Sequence, residues 1–271
     1  MERWSRFPAA MAALLVLAAA AAASGDERPR PMPPEKLVYL LQYIGADYGY
    51  AVRDGRIASI LEYEEMVKLA GVLVEHSRDL LSHGASPAID AELAALLDRI
   101  LSQAPSEQVK RTARGLVHRL LDELDVVSAP ETAPDLENGR RVFAANCAPC
   151  HGPTGGADGF ADPEMDPPPT SFRELRINGI SPHQVYGATF FGIEDTAMPS
   201  FGEAVAPREI WDVAFFVMTL REDFAPAPDP ALARPSLEVM ARLSNEELLS
   251  RIRKLRPETT LAEIDHHRLH P

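Results

Sequence analysis

Cysteine is nearly absent, with two in 271 residues. That excludes a disulfide framework as the source of stability, and it excludes a zinc site built on four thiols. Positive charge is in deficit as well. A formal net charge of −13 disfavours nucleic acid, and it suits instead a basic partner protein or the collection of cations. Past residue 23 there is no apolar run approaching the ~20 residues that cross a bilayer. The chain that follows is therefore expected to be water-soluble and stabilised by packing.

The one long apolar stretch stands at the start. Arg3 and Arg6 precede Ala9 to Ala23, with Leu14-Leu15-Val16-Leu17 inside it and small residues at its end. This is the pattern of a cleavable export leader over residues 1–24, and it places the protein in the periplasm. Removal of Glu2, Arg3 and Arg6 makes the net charge −14. The acid is unevenly spread, at −5 over 26–127, −1 over 128–134, −8 over 135–225 and zero over 226–271.

Both cysteines fall in Cys147-Ala148-Pro149-Cys150-His151. Two thiols two residues apart, followed at once by histidine, are the attachment pattern of a c-type haem. Each thiol can add to one vinyl group of the porphyrin, and His151 then supplies the proximal nitrogen to iron. A zinc half-site lacks its other ligands, since no His-x-x-x-His run lies nearby. A thioredoxin-like redox pair expects a βαβ setting, whereas the residues before Cys147 read as a helix. One covalent haem is the expectation. Thr196-Ala-Met198-Pro-Ser-Phe201 offers a methionine on a proline-held loop, and thioether opposite imidazole favours ferrous iron. Met198 is thus the expected second axial ligand, with Met165 as competitor and Met218 assigned to a helix core.

Helical periodicity fills most of the remainder. A first helix from Glu35 places Leu37, Leu40, Leu41 and Ile44 on one face, and Gly45 to Gly55 punctuates after it. A second helix spans Ser59 to His83 on Met66, Leu69, Leu73 and Leu80. A third uses Ile89, Leu93, Leu96, Leu97 and Ile100, and a fourth Val109, Ala113, Leu116, Leu120 and Leu124. These form an N-terminal bundle over 33–127. Glu62, Glu64, Glu65, His76 and His83 read as the solvated face of its second helix. Ser128 to Pro134, with two prolines and no periodicity, reads as a linker. Residues 135–225 form the haem domain, with Asp135 as a cap, Gly139 one turn before Phe143, a turn at Phe172–Ile177, a helix over Pro182–Phe191, and a closing helix with Trp211, Phe215 and Met218 on one stripe. Residues 226–271 hold a Pro-rich segment and one helix capped by Ser244, and His266, His267 and His270 read as a frayed polar end.

Residues 135–221 resemble a small monohaem cytochrome c. The resemblance rests on Gly139 and Phe143, the Cys-x-x-Cys-His run, the Met-Pro loop and Trp211, and it implies the fold, the haem and its ligands. Leu40-Leu-Gln-Tyr-Ile-Gly-Ala-Asp-Tyr48, Ala51-Val-x-Asp-Gly55 and Glu62-Tyr-Glu-Glu-Met66 resemble the exported front half of bacterial fusions that join a cytochrome c to a high-affinity iron permease. Pro235 to Leu249 is similar to the segment that precedes the permease there. The transmembrane helices and Arg-Glu-x-x-Glu motif of those permeases have no counterpart here. Arg208-Glu209-Ile-Trp-Asp212 imitates the motif inside the haem-packing helix. Either a permease partner is a separate polypeptide or the kinship has lost its iron role, so iron transport itself does not carry over.

The expectation is an all-α, periplasmic, one-electron carrier rather than an enzyme, linked through the resemblance to ferrous iron. Two alternatives stand beside it. One is a peroxidase-like haem enzyme with an open iron site. The other is a docking module that carries the cytochrome as a passenger.

Overall fold

The computed structural model describes residues 31–159, 165 and 167–271. The expected leader over 1–24 lies outside the described residues.

Helix α1, Pro34–Ala51, starts on a proline whose missing N–H costs nothing at the first helical position. It buries Leu37, Leu40, Leu41 and Ile44 as expected, and also Val38, Tyr39 and Tyr48. It runs through Gly45, where the sequence had indicated punctuation. The reason is packing, because a Cβ at Gly45 would lie 3.3 Å from the Cβ of Ala113 on the crossing helix. The break comes at Ala51 instead. There Val52–Arg53 (β1) and Arg56–Ile57 (β2) pair antiparallel across Asp54 and Gly55, with φ of 52° and 69°. Two positive φ values give a tight turn whose twist suits the strands.

Helix α2, Ile60–Glu75, is capped by the Ser59 hydroxyl, which accepts from the Glu62 N–H. The single helix expected to reach His83 is in fact two, for α3 covers Ser77–Ser82 and His76 sits between them at φ −96°, ψ 11°. Asp79 explains the break. Its carboxylate binds the His76 ring at 2.8 Å and accepts the Met32 N–H at 2.9 Å. His76 is accordingly buried rather than on a solvated face, while His83 and Glu64 are exposed. Helices α4, Ile89–Leu101, and α5, Ser106–Glu123, complete the bundle on the predicted apolar positions, with Leu97 only half-buried at the edge of the core.

Residues 128–134 carry no helix or strand. Beyond them Asp135 caps α6, Leu136–Asn146, by accepting the Asn138 N–H at 3.0 Å. Helix α9, Pro207–Val217, crosses α6 at Gly139, where a Cβ would lie 2.2 Å from the Asp212 carbonyl oxygen. Buried Asp212 locks the crossing, accepting from the Asp135 N–H and the Asn138 amide, each at 2.8 Å. Trp211, Phe215 and Met218 are all in the core beside Phe143.

Helix α8, Pro182–Phe191, has the expected bounds. On one side Tyr186 stacks on Trp211 with centroids 4.4 Å apart. On the other, Gly187 lets Tyr39 of α1 approach, and Phe191 stacks on that ring at 6.1 Å. His183 and Gln42 are hydrogen-bonded at 3.1 Å in the same seam. Residues 32–271 form one compact unit.

The tail departs most from expectation. It holds three helices, α10 (Leu237–Arg242), α11 (Asn245–Arg253) and α12 (Leu261–Leu269). Ser244 does cap α11, in a reciprocal pair with Glu247. The end is not frayed. Arg268, fully buried, donates to the Asn245 side chain at 2.9 Å and to the carbonyls of Leu243, at 2.8 Å, and Met240. His266 and His267 bond the carbonyls of Ala227 and Leu232. Among the described residues no group of three or more His, Cys, Asp or Glu side chains could hold a metal ion. None of the described helices is long and apolar enough to cross a membrane.

Candidate haem site

The site grows out of the end of α6. Cys147 is its C-cap, with its N–H on the Phe143 carbonyl at 2.8 Å. A single further turn, α7 (Ala148–His151), follows, closed by N–H bonds from Cys150 and His151 to the Cys147 carbonyl at 3.1 and 2.9 Å. Gly152 ends the turn at φ +79°, a conformation that a side chain would strain. The backbone thus brings Cys147, Cys150 and His151 together on one turn, at offsets of three and four residues that share a helix face.

The thiols are free and half-buried, and Cys147 packs against the aromatic core. Burial, then the neighbouring Cys150, pushes the Cys147 thiol up to about 12. It is therefore a neutral thiol. A disulfide oxidoreductase needs the opposite shift, toward a reactive thiolate, so the redox-pair alternative loses its chemistry here.

His151 is held by geometry. Its Nδ1 lies 2.9 Å from the Thr170 carbonyl oxygen, and its ring stacks on Phe172 with centroids 4.5 Å apart. A carbonyl can only accept, so Nδ1 carries the proton and Nε2 keeps its lone pair. Burial lowers the histidine's pKa and favours the neutral ring. A neutral imidazole with Nδ1–H anchored and Nε2 free is prepared to bind a metal. This donor set, two free thiols and one oriented imidazole on one turn, fits a covalently attached haem.

Met198 shares no element with these three. It lies on the loop between α8 and α9, where its N–H bonds the Thr196 hydroxyl at 3.1 Å and its carbonyl accepts the Ile193 N–H at 3.1 Å. Gly192 lies beneath that loop, too close to the Met198 and Pro199 backbone for a side chain. The side chain is half-buried and the backbone pinned, as a loop ligand requires. Met218 is fully buried at the end of α9. Met165 stands between residues outside the description.

Sequence reasoning missed Thr170, Phe172 and Arg176. Thr170 acts through its carbonyl, a group every residue has, and no spacing rule marks it. Arg176 lies on the short 3₁₀ turn Leu175–Gly179 and donates to the Thr170 hydroxyl at 2.8 Å.

Comparison with known proteins agrees with this geometry. Residues 134–217 match the family described as cytochrome C oxidase, cbb3-type, subunit III. Residues 35–129 match the iron permease-associated 4-helix bundle domain. Cytochrome c6 of Bumilleriopsis filiformis is 33% identical over 90 residues, which are 32% of this chain and 94% of that protein. Cytochrome c6 of Porphyra purpurea is 33% identical over 92 residues, or 33% of this chain and 76% of the relative. The cbb3-type cytochrome c oxidase subunit FixP of Sinorhizobium medicae is 26% identical over 171 residues, which are 63% of this chain and only 55% of that subunit. The chain belongs to the c-type cytochromes, and it carries an iron permease-associated four-helix bundle ahead of its cytochrome domain.

Proposed function

We propose that the protein is an exported, periplasmic one-electron carrier whose single haem is bonded to Cys147 and Cys150 and ligated by His151 and Met198. The observation that carries this is the anchored His151, with Nδ1 on the Thr170 carbonyl at 2.9 Å beside two free thiols on the same turn. A haem held there supplies one-electron exchange between ferric and ferrous iron. Phe143, Phe172 and Trp211 provide the apolar wall, and the pinned Met198 loop offers a sulfur that closes the sixth position. That last feature speaks against a peroxidase-like enzyme, which needs an open one. The seam between α1 and α8 speaks against a passenger cytochrome.

The test is extraction with acidified acetone. Haem should stay with the wild-type polypeptide and be lost from the Cys147→Ser/Cys150→Ser variant; haem that leaves the wild type with the solvent would overturn the assignment. Met198→Ala should remove the sulfur-to-iron charge-transfer band and lower the potential, and an unchanged spectrum would move the ligand elsewhere.

The finer part of the proposal concerns the donor. An iron permease-associated bundle joined to an acidic cytochrome domain points to ferrous iron, handled beside a separate permease. Ferrous iron should then reduce the oxidised protein faster at low ionic strength than at high, since salt screens the attraction. A salt-independent rate would remove the iron link.

A further inference from the structure

We propose that Arg176 is a positioning residue through which the helical bundle sets the electron affinity of the haem, by way of Thr170 and His151. The inference rests on the haem assignment above and adds to it a role for the bundle.

Three contacts form the connection. His151 Nδ1–H donates to the Thr170 carbonyl at 2.9 Å. The Arg176 guanidinium donates to the hydroxyl of the same threonine at 2.8 Å, so one residue is held from both ends. On its other side that guanidinium stands over the ring of Tyr50, 5.3 Å from its centroid, at the C-terminal end of α1. Asp47, one turn earlier on α1, is the carboxylate on which its charge acts. A single cation therefore links Tyr50 of the bundle to the residue that orients His151, with the Asp47 carboxylate within reach of its charge.

The charges carry a sign that can be worked out. Asp47 is pushed up to about 6, chiefly by burial and against the pull of Arg176, so at neutral pH it is mostly ionised. A fixed positive charge set across Thr170 from His151 stabilises the site after it gains an electron; the Asp47 carboxylate offsets part of that charge. Arg176 should favour the reduced form and Asp47 oppose it. The guanidinium suits the task because it stays charged and can stack and donate at once.

The experiment is a potentiometric titration of the haem-loaded full chain. Arg176→Gln keeps a donor for Thr170 and removes the charge, and it should shift the reduced-to-oxidised ratio about threefold toward oxidised, ~30 mV at 59 mV per tenfold for one electron. Asp47→Asn should shift it about equally in the opposite direction. Arg176→Lys should restore most of the loss, and the Arg176→Gln/Asp47→Asn pair should lie close to the wild type. Loosening of the seam would admit water at the site in both single variants and move them the same way. Shifts of one sign, or none in either variant, overturn the coupling. Asp47→Asn leaves Arg176 and Thr170 in place, so the opposite-sign test survives even if the arginine variant folds poorly. A chain without covalent haem would show no visible spectrum at all; that result overturns the haem assignment and the coupling with it, and it is distinct from an unchanged potential.

Discussion

The bundle and the cytochrome domain solve the packing problem in different ways. In the bundle Leu37, Leu41, Ile44, Leu73, Leu93, Leu96, Ile100 and Leu120 interleave at three- and four-residue spacings, and side chains fill the space between helices. In the cytochrome domain α6 and α9 meet backbone against backbone at Gly139, and the core around them is aromatic, with Phe143, Trp211 and Phe215. A leucine core tolerates small adjustments, because flexible side chains can share a change in volume. A backbone contact cannot give way.

Glycine substitutions should expose this difference most strongly. Gly139→Ala places a methyl 2.2 Å from the Asp212 carbonyl and 2.9 Å from the Phe216 Cβ. The helices must separate, at about 3 kcal/mol of stability, the upper part of the range for overpacking. Gly115 on α5 has nothing within 4 Å of the position a Cβ would take. Gly115→Ala should stabilise the protein by about 0.5–1 kcal/mol through helix propensity alone. Chemical denaturation of the two variants measures both. Equal effects would show that the crossing at Gly139 relaxes, and the contrast between the halves would fall.

The same contrast explains what could be read from the sequence. Bundle helices have one apolar and one polar face, so periodicity located α1, α2, α4 and α5 and most of their buried positions. It did not locate the break at His76, because a hydrogen bond to Asp79 leaves no trace in an apolar pattern. Nor did it show that Glu65 is half-buried, its carboxyl raised first by burial and then by Glu62 and Asp47. Helix α8 buries Val185 in the aromatic core, packs Tyr186 against it, and packs Ala188 and Phe191 against the bundle. A helix buried on both sides shows no amphipathic stripe, and nothing in its pattern announced a seam. The turn that gathers Cys147, Cys150 and His151 was legible as a candidate site for another reason: chemistry restricts which residues can bond a porphyrin. The buried tail was the least legible, since polar residues such as Arg268 and His267 are read as exposed until their carbonyl partners are seen.

That tail is tied to the bundle by charge, and acid should loosen it. Glu247 of α11 accepts from the Ser244 N–H at 2.9 Å, bonds His118 of α5 at 3.2 Å and lies 3.6 Å from Arg114. Burial alone would raise its pKa, but the bonds from His118 and Ser244 and the charge of Arg114 outweigh it and hold it down to about 2. A carboxyl depressed in the folded state stabilises fully above its unfolded value of about 4.3, and the contribution is lost as pH falls from there toward 2. Glu247→Gln should cost about 2 kcal/mol at pH 6, the scale of hydrogen bonds to a charged group. At pH 2 the variant and the wild type should be nearly alike. Thermal unfolding of both proteins at the two pH values checks this, and a difference that persists at pH 2 would place the effect in packing rather than ionisation.

The smallest effect is expected at the ion pairs that flank the seam. Lys36 of α1 and Lys68 of α2 reach Glu194 and Asp195, each at 2.5 Å, on the loop that also carries Met198. The position invites the view that bundle lysines hold the ligand loop by charge. Exposure decides against it, because the Lys68 and Asp195 side chains are 53% and 75% accessible and Glu194 is 56% accessible. Pairs in that setting contribute ~0.2–1 kcal/mol and are screened by salt. The seam is instead closed by Tyr39, Phe191, Gly187 and the His183–Gln42 bond, none of which depends on charge. Lys36→Ala/Lys68→Ala should therefore lower stability by less than about 1 kcal/mol. Its difference from the wild type should vanish in high salt, with the sulfur-to-iron band intact. Loss of that band in the lysine variant would mean that the bundle holds the Met198 loop by charge after all.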